Sequence, residues 1–392
     1  MGKWPMVRIG DVCEFIRNGA SIKQDNSKKG FPITRIETIS NGVFDRSKMG
    51  YAGIYDLGKY EDYVLKTGDI LMSHINSISH LGKTAYYENI NNETIIHGMN
   101  LLCLRLKKEQ VNYRYTFYYL NSPFFKRQIP RITKKSVNQA SFTVTALKEL
   151  QFIFPPLNIQ KYIADTLDKT QEIIDGYKKQ LAELDNLIKA VFYEMFGDIR
   201  LNKKKWARTK IGEVCHDNIK KLSGNEKIEI SYVDISAISN TEKEIISVKN
   251  INSKDAPSRA KQILELNDIL VSTVRPNLNA VAINNINTGK KVIGSTGFCV
   301  LRCKSTINYR YLFEIVKSDY FIDKLVSLAR GASYPAVTDY DVKNIDIPIP
   351  PLDLQNKFAE IVAKIEEQKA LVKQAITESE HLFKSLMSEY FD

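Results

Sequence analysis

Two stretches rich in basic and amide side chains occur early in this 392-residue chain, and two more occur late. Residues 73–83 carry His74, Asn76, Ser77 and Lys83, and residues 127–141 carry Arg131, Lys134, Lys135, Asn138 and Gln139. In the later pair, residues 272–279 carry Arg275, Asn277 and Asn279, and residues 330–338 carry Arg330, Ser333 and Tyr334. Arginine and lysine bond guanine edges or neutralise phosphates, and asparagine or glutamine bonds bidentately to adenine. The pattern suits base readout; the competing reading is that each loop is simply solvated. A net charge of +11 and a pI near 9.1 favour polyphosphate partners, because a surplus of cations raises the local anion concentration.

Signatures of a catalytic centre are missing. Gly82-Lys-Thr84 has the tail of a phosphate loop, but the earlier glycine that such a loop requires falls at Ser77. Phe154-Pro-Pro-Leu157 is superficially like the motif of amino-methyltransferases, yet its first residue is apolar and cannot accept from a target amine. There is no G-x-G-x-x-G, G-x-S-x-G or H-E-x-x-H. The histidines (His74, His80, His97, His216, His381) lack ligand spacing. Cys299 and Cys303 lie in the apolar run Gly297-Phe-Cys-Val-Leu-Arg-Cys303 and read as buried strand rather than as metal ligands. No catalytic residue, cofactor or metal is therefore expected in this chain.

An odd, sparse set of cysteines fits a reducing compartment. No run approaches the roughly 18 apolar residues of a membrane helix. Residues 1–8 have no apolar stretch for secretion, and Met6 stands where a myristoylation motif needs Ser or Thr. A soluble, cytoplasmic protein without membrane contact is expected.

The scaffold that must position these loops is written twice. Trp4-Pro-Met-Val-Arg-Ile-Gly-Asp-Val-Cys13 realigns without a gap on Trp206-Ala-Arg-Thr-Lys-Ile-Gly-Glu-Val-Cys215. The match continues in order: Gly68-Asp-Ile-Leu-Met-Ser73 with Asn267-Asp-Ile-Leu-Val-Ser272, Leu104-Arg105 with Leu301-Arg302, Asn112-Tyr-Arg-Tyr115 with Asn308-Tyr-Arg-Tyr311, and Phe154-Pro-Pro-Leu157 with Ile349-Pro-Pro-Leu352. Repeats of this length are duplicated domains rather than a solenoid. Short apolar runs read as strands, and 113–120 and 309–316 as helices, so each globular part, 1–155 and 199–350, is mixed α and β. Each ends on a Pro-Pro pair, which cannot continue a strand or a helix interior.

The segments after the prolines, 156–198 and 351–392, hold a sustained 3–4 spacing of apolar residues. The first seam runs through Ile163, Leu167, Ile174, Leu181, Leu184, Ile188 and Val191. The second runs through Phe358, Val362, Ile365, Val372, Ile376, Phe383 and Leu386, interrupted by Lys369 and Ser379. Each is an amphipathic helix of roughly 60 Å at about 1.5 Å per residue. Two such helices in one chain are expected to pair; the alternative is that each packs only on its own globular domain. The fold class is thus α+β, two tandem mixed domains each followed by a long helix, with pseudo-twofold symmetry.

The chain resembles the specificity subunit of type I restriction-modification systems. The resemblance covers its full length. It rests on the doubled W-x5-G-D/E-V opening, the G/N-D-I-L-x-S strand, and the Pro-Pro-Leu boundary followed by Gln160 or Gln355 and a helix. It implies that the globular parts are target recognition domains, each reading half of a bipartite site in double-stranded DNA. It implies further that the helices form an antiparallel coiled coil that spaces the domains and docks two modification (methyltransferase) subunits, with or without restriction (translocase/nuclease) subunits. S-adenosylmethionine, ATP and Mg would then belong to those partners. Base contacts do not carry over, since recognition loops vary most between members. Two other classes stay open: a nucleic-acid-binding coiled-coil scaffold without sequence preference, and an enzyme with an unrecognised centre.

Overall fold

The computed structural model describes residues 4–26, 28–40, 42–137, 139–223, 227–331 and 333–392. It divides into two compact units: Met1–Lys178 with Gln374–Asp392, and Lys179–Lys373. Each unit therefore joins one globular part to a portion of both long helices, a grouping that cuts across the helical segments delimited from sequence.

In the first unit, Met6–Arg8 pairs antiparallel with Gln151–Ile153, so the strand before the Pro-Pro pair closes on the start of the domain. The main sheet is antiparallel, in the order Cys13–Asn18, Leu101–Leu106, Ile70–Ser73, Thr84–Tyr86. Its central strands are continuous apolar runs because both faces are covered. Alternate residues enter two different cores: Ile70, Met72, Leu102 and Leu104 on one side, Leu71, Leu101 and Cys103 on the other.

The second unit repeats this plan. Ala207–Lys210 pairs with Asp346–Ile349, and a sheet runs in the order Val281–Ile283, Ile269–Ser272, Phe298–Leu301. Ile269, Val271, Cys299 and Leu301 face one core, and Leu270, Phe298 and Val300 the other. A second sheet, with Glu229–Val233 parallel to Lys291–Ser295, has a reduced counterpart in the first unit, where Ile33 and Ile96 form a parallel bridge.

The doubled motifs are the framework of this plan. Asp69 receives Arg105 through two bonds of 2.8 and 2.7 Å, and Asp268 receives Arg302 through two of 2.9 and 2.7 Å. Asn112 and Asn308 cap the helices Tyr113–Asn121 and Tyr309–Lys317. The Tyr115 hydroxyl donates to the Ile153 carbonyl, and the Tyr311 hydroxyl to that of Pro348. Gln160 and Gln355, both fully buried, accept from the Asn112 and Asn308 backbone at 2.9 Å and donate to Pro155 and Pro350 at 2.8 Å. Each glutamine so ties the start of its long helix to its domain.

The long helices are Leu157–Phe196 and Leu352–Phe391. The first ends at Gly197, whose φ of +76° is the left-handed turn that glycine makes without steric cost, and Trp206 donates its indole N–H to the Phe196 carbonyl. In the first unit Ile163 and Leu167 share a core with Met387 and Phe391; in the second, Phe192 and Phe196 pack edge-on to Phe358. Lys178 pairs with Glu380 and Asp185 with Lys369, so the helix segments run antiparallel within each unit.

Every seam position named from sequence is buried or half-buried. Lys369 fills its place in the seam by bonding Asp185 at 2.7 Å and Glu366 at 3.0 Å. At the far ends the seam needs correcting by one residue. Phe192, Phe196, Met387 and Phe391 are buried, while Val191 and Leu386 are only half-covered. A strict heptad drifts by about 20° per repeat on a straight helix, which rotates the buried stripe over several turns.

Candidate nucleic-acid interface

The loops chosen for their chemistry lie far apart in sequence and meet in space. In the first unit Ile75–Asn76, directly after the central strand, pairs with Ala140–Ser141, which pairs with Lys134–Lys135. Lys134–Lys135 and Ala140–Ser141 form a hairpin in which the Ser136 backbone N–H and hydroxyl both donate to the Gln139 carbonyl at 2.8 Å. Lys134, Lys135 and Gln139 are exposed, as is Ser77, and Arg131 ends the short helix Ile129–Ile132 just before the hairpin. Asn76 is half-buried and its Oδ1 accepts from the Ser77 backbone. Asn138 lies outside the described residues.

The second unit builds the same three-part ribbon from single bridges, Val274 to Ala336 and Ala336 to Arg330. Arg275, Asn277, Arg330, Ser333 and Tyr334 are exposed on it. The Arg275 guanidinium lies 4.5 Å from the centre of the Tyr334 ring, and the Arg275 N–H donates to the Pro335 carbonyl at 2.7 Å. Arg330 approaches Asp341 at 3.7 Å. That carboxylate accepts first from the backbone and hydroxyl of Thr338, which hold it below the usual carboxylate range.

Three of the residues selected from sequence do not present free side chains. His74 is buried beneath the ribbon, edge-on to Phe142, because it continues the covered strand Ile70–Ser73. Burial lowers its pKa and keeps the ring neutral. Asn279 is buried too; its amide donates to the Lys317 carbonyl, and its own carbonyl accepts from Lys243 at 2.7 Å. Lys83 is half-buried and donates to the Ser40 carbonyl at 2.9 Å. His74 and Asn279 thus lie beneath the surface that the exposed loop residues present. A polar type in a loop-like stretch does not tell which side of the backbone it occupies.

Conversely, the loops carry apolar side chains that a search for polar readers passes over. Ile75, Ile78 and Val137 are exposed, Val137 almost completely. Their signal in the sequence is the position itself, apolar residues within polar turns.

Among the described residues no cluster of His, Cys, Asp and Glu is arranged to hold a metal ion. No helix among them is long and apolar enough to cross a membrane.

The doubled framework under two dissimilar ribbons has known counterparts. The family described as the type I restriction modification DNA specificity domain matches residues 1–186 and again 203–381. This chain belongs to that family. The putative type I restriction enzyme MjaX specificity subunit of Methanocaldococcus jannaschii is 33% identical over 98% of this chain and 92% of its own length. The StySPI specificity subunit of Salmonella potsdam is 23% identical over 99% and 88%. Two solved structures share the fold. A chain of a type I R-M system, studied for complex assembly and conformational transition, has a TM-score of 0.56 at 17% identity, covering 99% of this chain and 97% of that one. The S subunit from M. genitalium has a TM-score of 0.53 at 15% identity, covering 100% and 96%. In the present chain the repeated residues named above hold the fold, and the two ribbons expose different side chains.

Proposed function

We propose that this chain is the DNA-specificity subunit of a type I restriction-modification complex, with each recognition domain reading one half of a bipartite site in double-stranded DNA. The observation that carries the reading is one framework, Asp69–Arg105 and Asp268–Arg302 with their glutamine ties, built the same way in two units whose ribbons expose different side chains. One scaffold with two sets of readers is what recognition of two different half-sites requires. Lys134 and Lys135 suit phosphate or base contacts, and exposed Ile75, Ile78 and Val137 suit thymine methyl groups.

The long helices set the distance between half-sites and dock two modification subunits. The chain itself is non-catalytic and holds no cofactor; methyl transfer from S-adenosylmethionine, and any ATP- and Mg-dependent translocation and cleavage, belong to its partners. Its place of action is the cytoplasm, with the DNA.

The test is the methylome of a host expressing this chain with its modification subunit, against a strain lacking both. A methylated motif of two defined half-sites around a fixed unread gap is expected. If the partner methylates with a control specificity subunit but yields no new motif with this chain, the scaffold without sequence preference replaces this reading.

A further inference from the structure

We infer that Arg275 is the side chain with which the second domain reads a guanine, and that Tyr334 and Asn279 position it. The inference rests on the recognition role proposed above and names a base that this site selects.

The loop at 275–279 is held in an uphill backbone conformation. Arg275 has φ 48° and ψ 59°, the left-handed region, although it precedes Pro276 and carries a Cβ. Asn279, at φ 45°, closes the same turn. Non-glycine residues persist in this region only where their surroundings over-determine them. Here they do: Arg275 N–H bonds Pro335, Leu278 N–H bonds the Arg275 carbonyl at 2.9 Å, and Asn279 is anchored to Lys317 and Lys243. The turn is thereby fixed against the rest of the domain.

The side chain is prepared for an external acceptor. Arg302, Arg259 and Arg200 of this unit are held by the carboxylates of Asp268, Asp234 and Asp323, and Arg208 by the Ile199 and Asp346 carbonyls. Among the described residues no carboxylate pairs with Arg275; its guanidinium lies against the Tyr334 ring, which orients the plane without using its N–H donors. A planar fork held at a fixed angle at a ribbon surface matches the O6 and N7 acceptors of guanine in the major groove. The position equivalent to Arg275, counted from the shared Ser73 and Ser272, is Asn76 in the first domain. Asparagine favours adenine, so the two ribbons differ in the base selected at matching places.

The experiment uses the full chain with its modification subunits and a DNA library randomised over both half-sites, scored by methylation. Wild type, Arg275→Ala, Arg275→Lys, Tyr334→Leu and Tyr334→Phe are compared. In the wild type one position of one half-site should require guanine on one strand. Arg275→Ala should cut that preference by about tenfold or more and Arg275→Lys by less, since lysine keeps the charge and can reach one guanine acceptor but lacks the fork, and both should leave the other half-site unchanged. Tyr334→Leu should weaken the same preference and Tyr334→Phe retain it, an outcome that mere loss of fold does not give. Retained guanine preference in Arg275→Ala, or a uniform loss of affinity for all sequences in that variant, overturns the inference in favour of a phosphate contact. A wild type with no preference anywhere overturns the recognition role itself, and the inference with it.

Discussion

Asp69 and Arg105 form a bidentate ion pair at the start of the central strand Ile70–Ser73, with the Asp69 side chain 2% exposed. Its twin, Asp268 with Arg302, differs in one respect: Arg302 also bonds Glu265 at 2.7 Å, whereas Arg105 has no second carboxylate partner among the described residues. Removing one member of a buried pair leaves an uncompensated charge and costs about 3–5 kcal/mol. We therefore expect Asp69→Ala to destabilise its domain by about that amount, and Asp268→Ala to cost distinctly less. Urea unfolding followed by domain-resolved hydrogen exchange measures both; equal losses would mean that Glu265 is too exposed to compensate.

The glutamine ties give a second expectation. Gln160→Leu leaves the Asn112 N–H without its acceptor at the half-buried start of a helix, and an unsatisfied donor there costs about 1 kcal/mol, the low end for a buried one. Gln355→Leu should cost the same through Asn308. Exchange of the Asn112 and Asn308 amides should accelerate in the respective variants, and unchanged protection would refute the tie.

Duplication made the framework legible. Asp69, Arg105 and Gln160 each recur at an ordered position and make the same bond in both copies, and Asn112 recurs as a helix cap, accepting from the Tyr115 N–H where Asn308 accepts from that of Arg310. Apolar spacing likewise gave the helix seam, except where Phe192 and Met387 take over after the stripe has rotated. The ribbons were only half legible. Residue type singled out Lys134 and Arg275, which are exposed, but whether a side chain faces water is decided by pairing across long sequence separations, as between Ile75 and Ser141. That pairing is why His74 is covered and Ser77 is not.

Acid should weaken the first domain. His97 is buried and its Nε2–H donates to the Leu101 carbonyl at 2.9 Å; burial lowers its pKa from 6.5 to about 4, and burial lowers that of His74 as well. The folded state thus binds fewer protons than the unfolded state between these values. Stability is intact above about pH 6.5 and is lost as pH falls toward 4, by roughly 3 kcal/mol for His97. Thermal melts between pH 7.5 and 4 should show this loss in the wild type and a flatter profile in His97→Gln. Identical profiles would sink the assignment.

Exposed lysines on the first hairpin should appear in the salt dependence of binding. Each phosphate contact contributes about 0.9 to the slope of log K against log salt. If Lys134 and Lys135 neutralise phosphates, Lys134→Ala with Lys135→Ala should reduce the slope by about 2 and weaken binding to all sequences alike. A changed motif with an unchanged slope would instead make them base readers. Fluorescence anisotropy on specific and scrambled duplexes over a salt series separates the two outcomes.

The helices provide the last expectation. Leu157–Phe196 and Leu352–Phe391 have 40 residues each, and within each unit their segments run antiparallel. Inserting four residues near Leu181–Leu184, matched by four between Lys369 and Glu380, adds about 6 Å to each helix and rotates the seam by only about 40°. Apolar contacts on both sides of the insertion are then roughly kept. If the helix pair is the ruler between half-sites, the unread gap in the methylated motif should grow by about two base pairs, at about 3.4 Å per step. Both half-site sequences should stay the same, because no ribbon residue has changed. Methylation of a library of gap lengths reads the result directly. A folded variant that still prefers the original gap would place the control of spacing outside the helices.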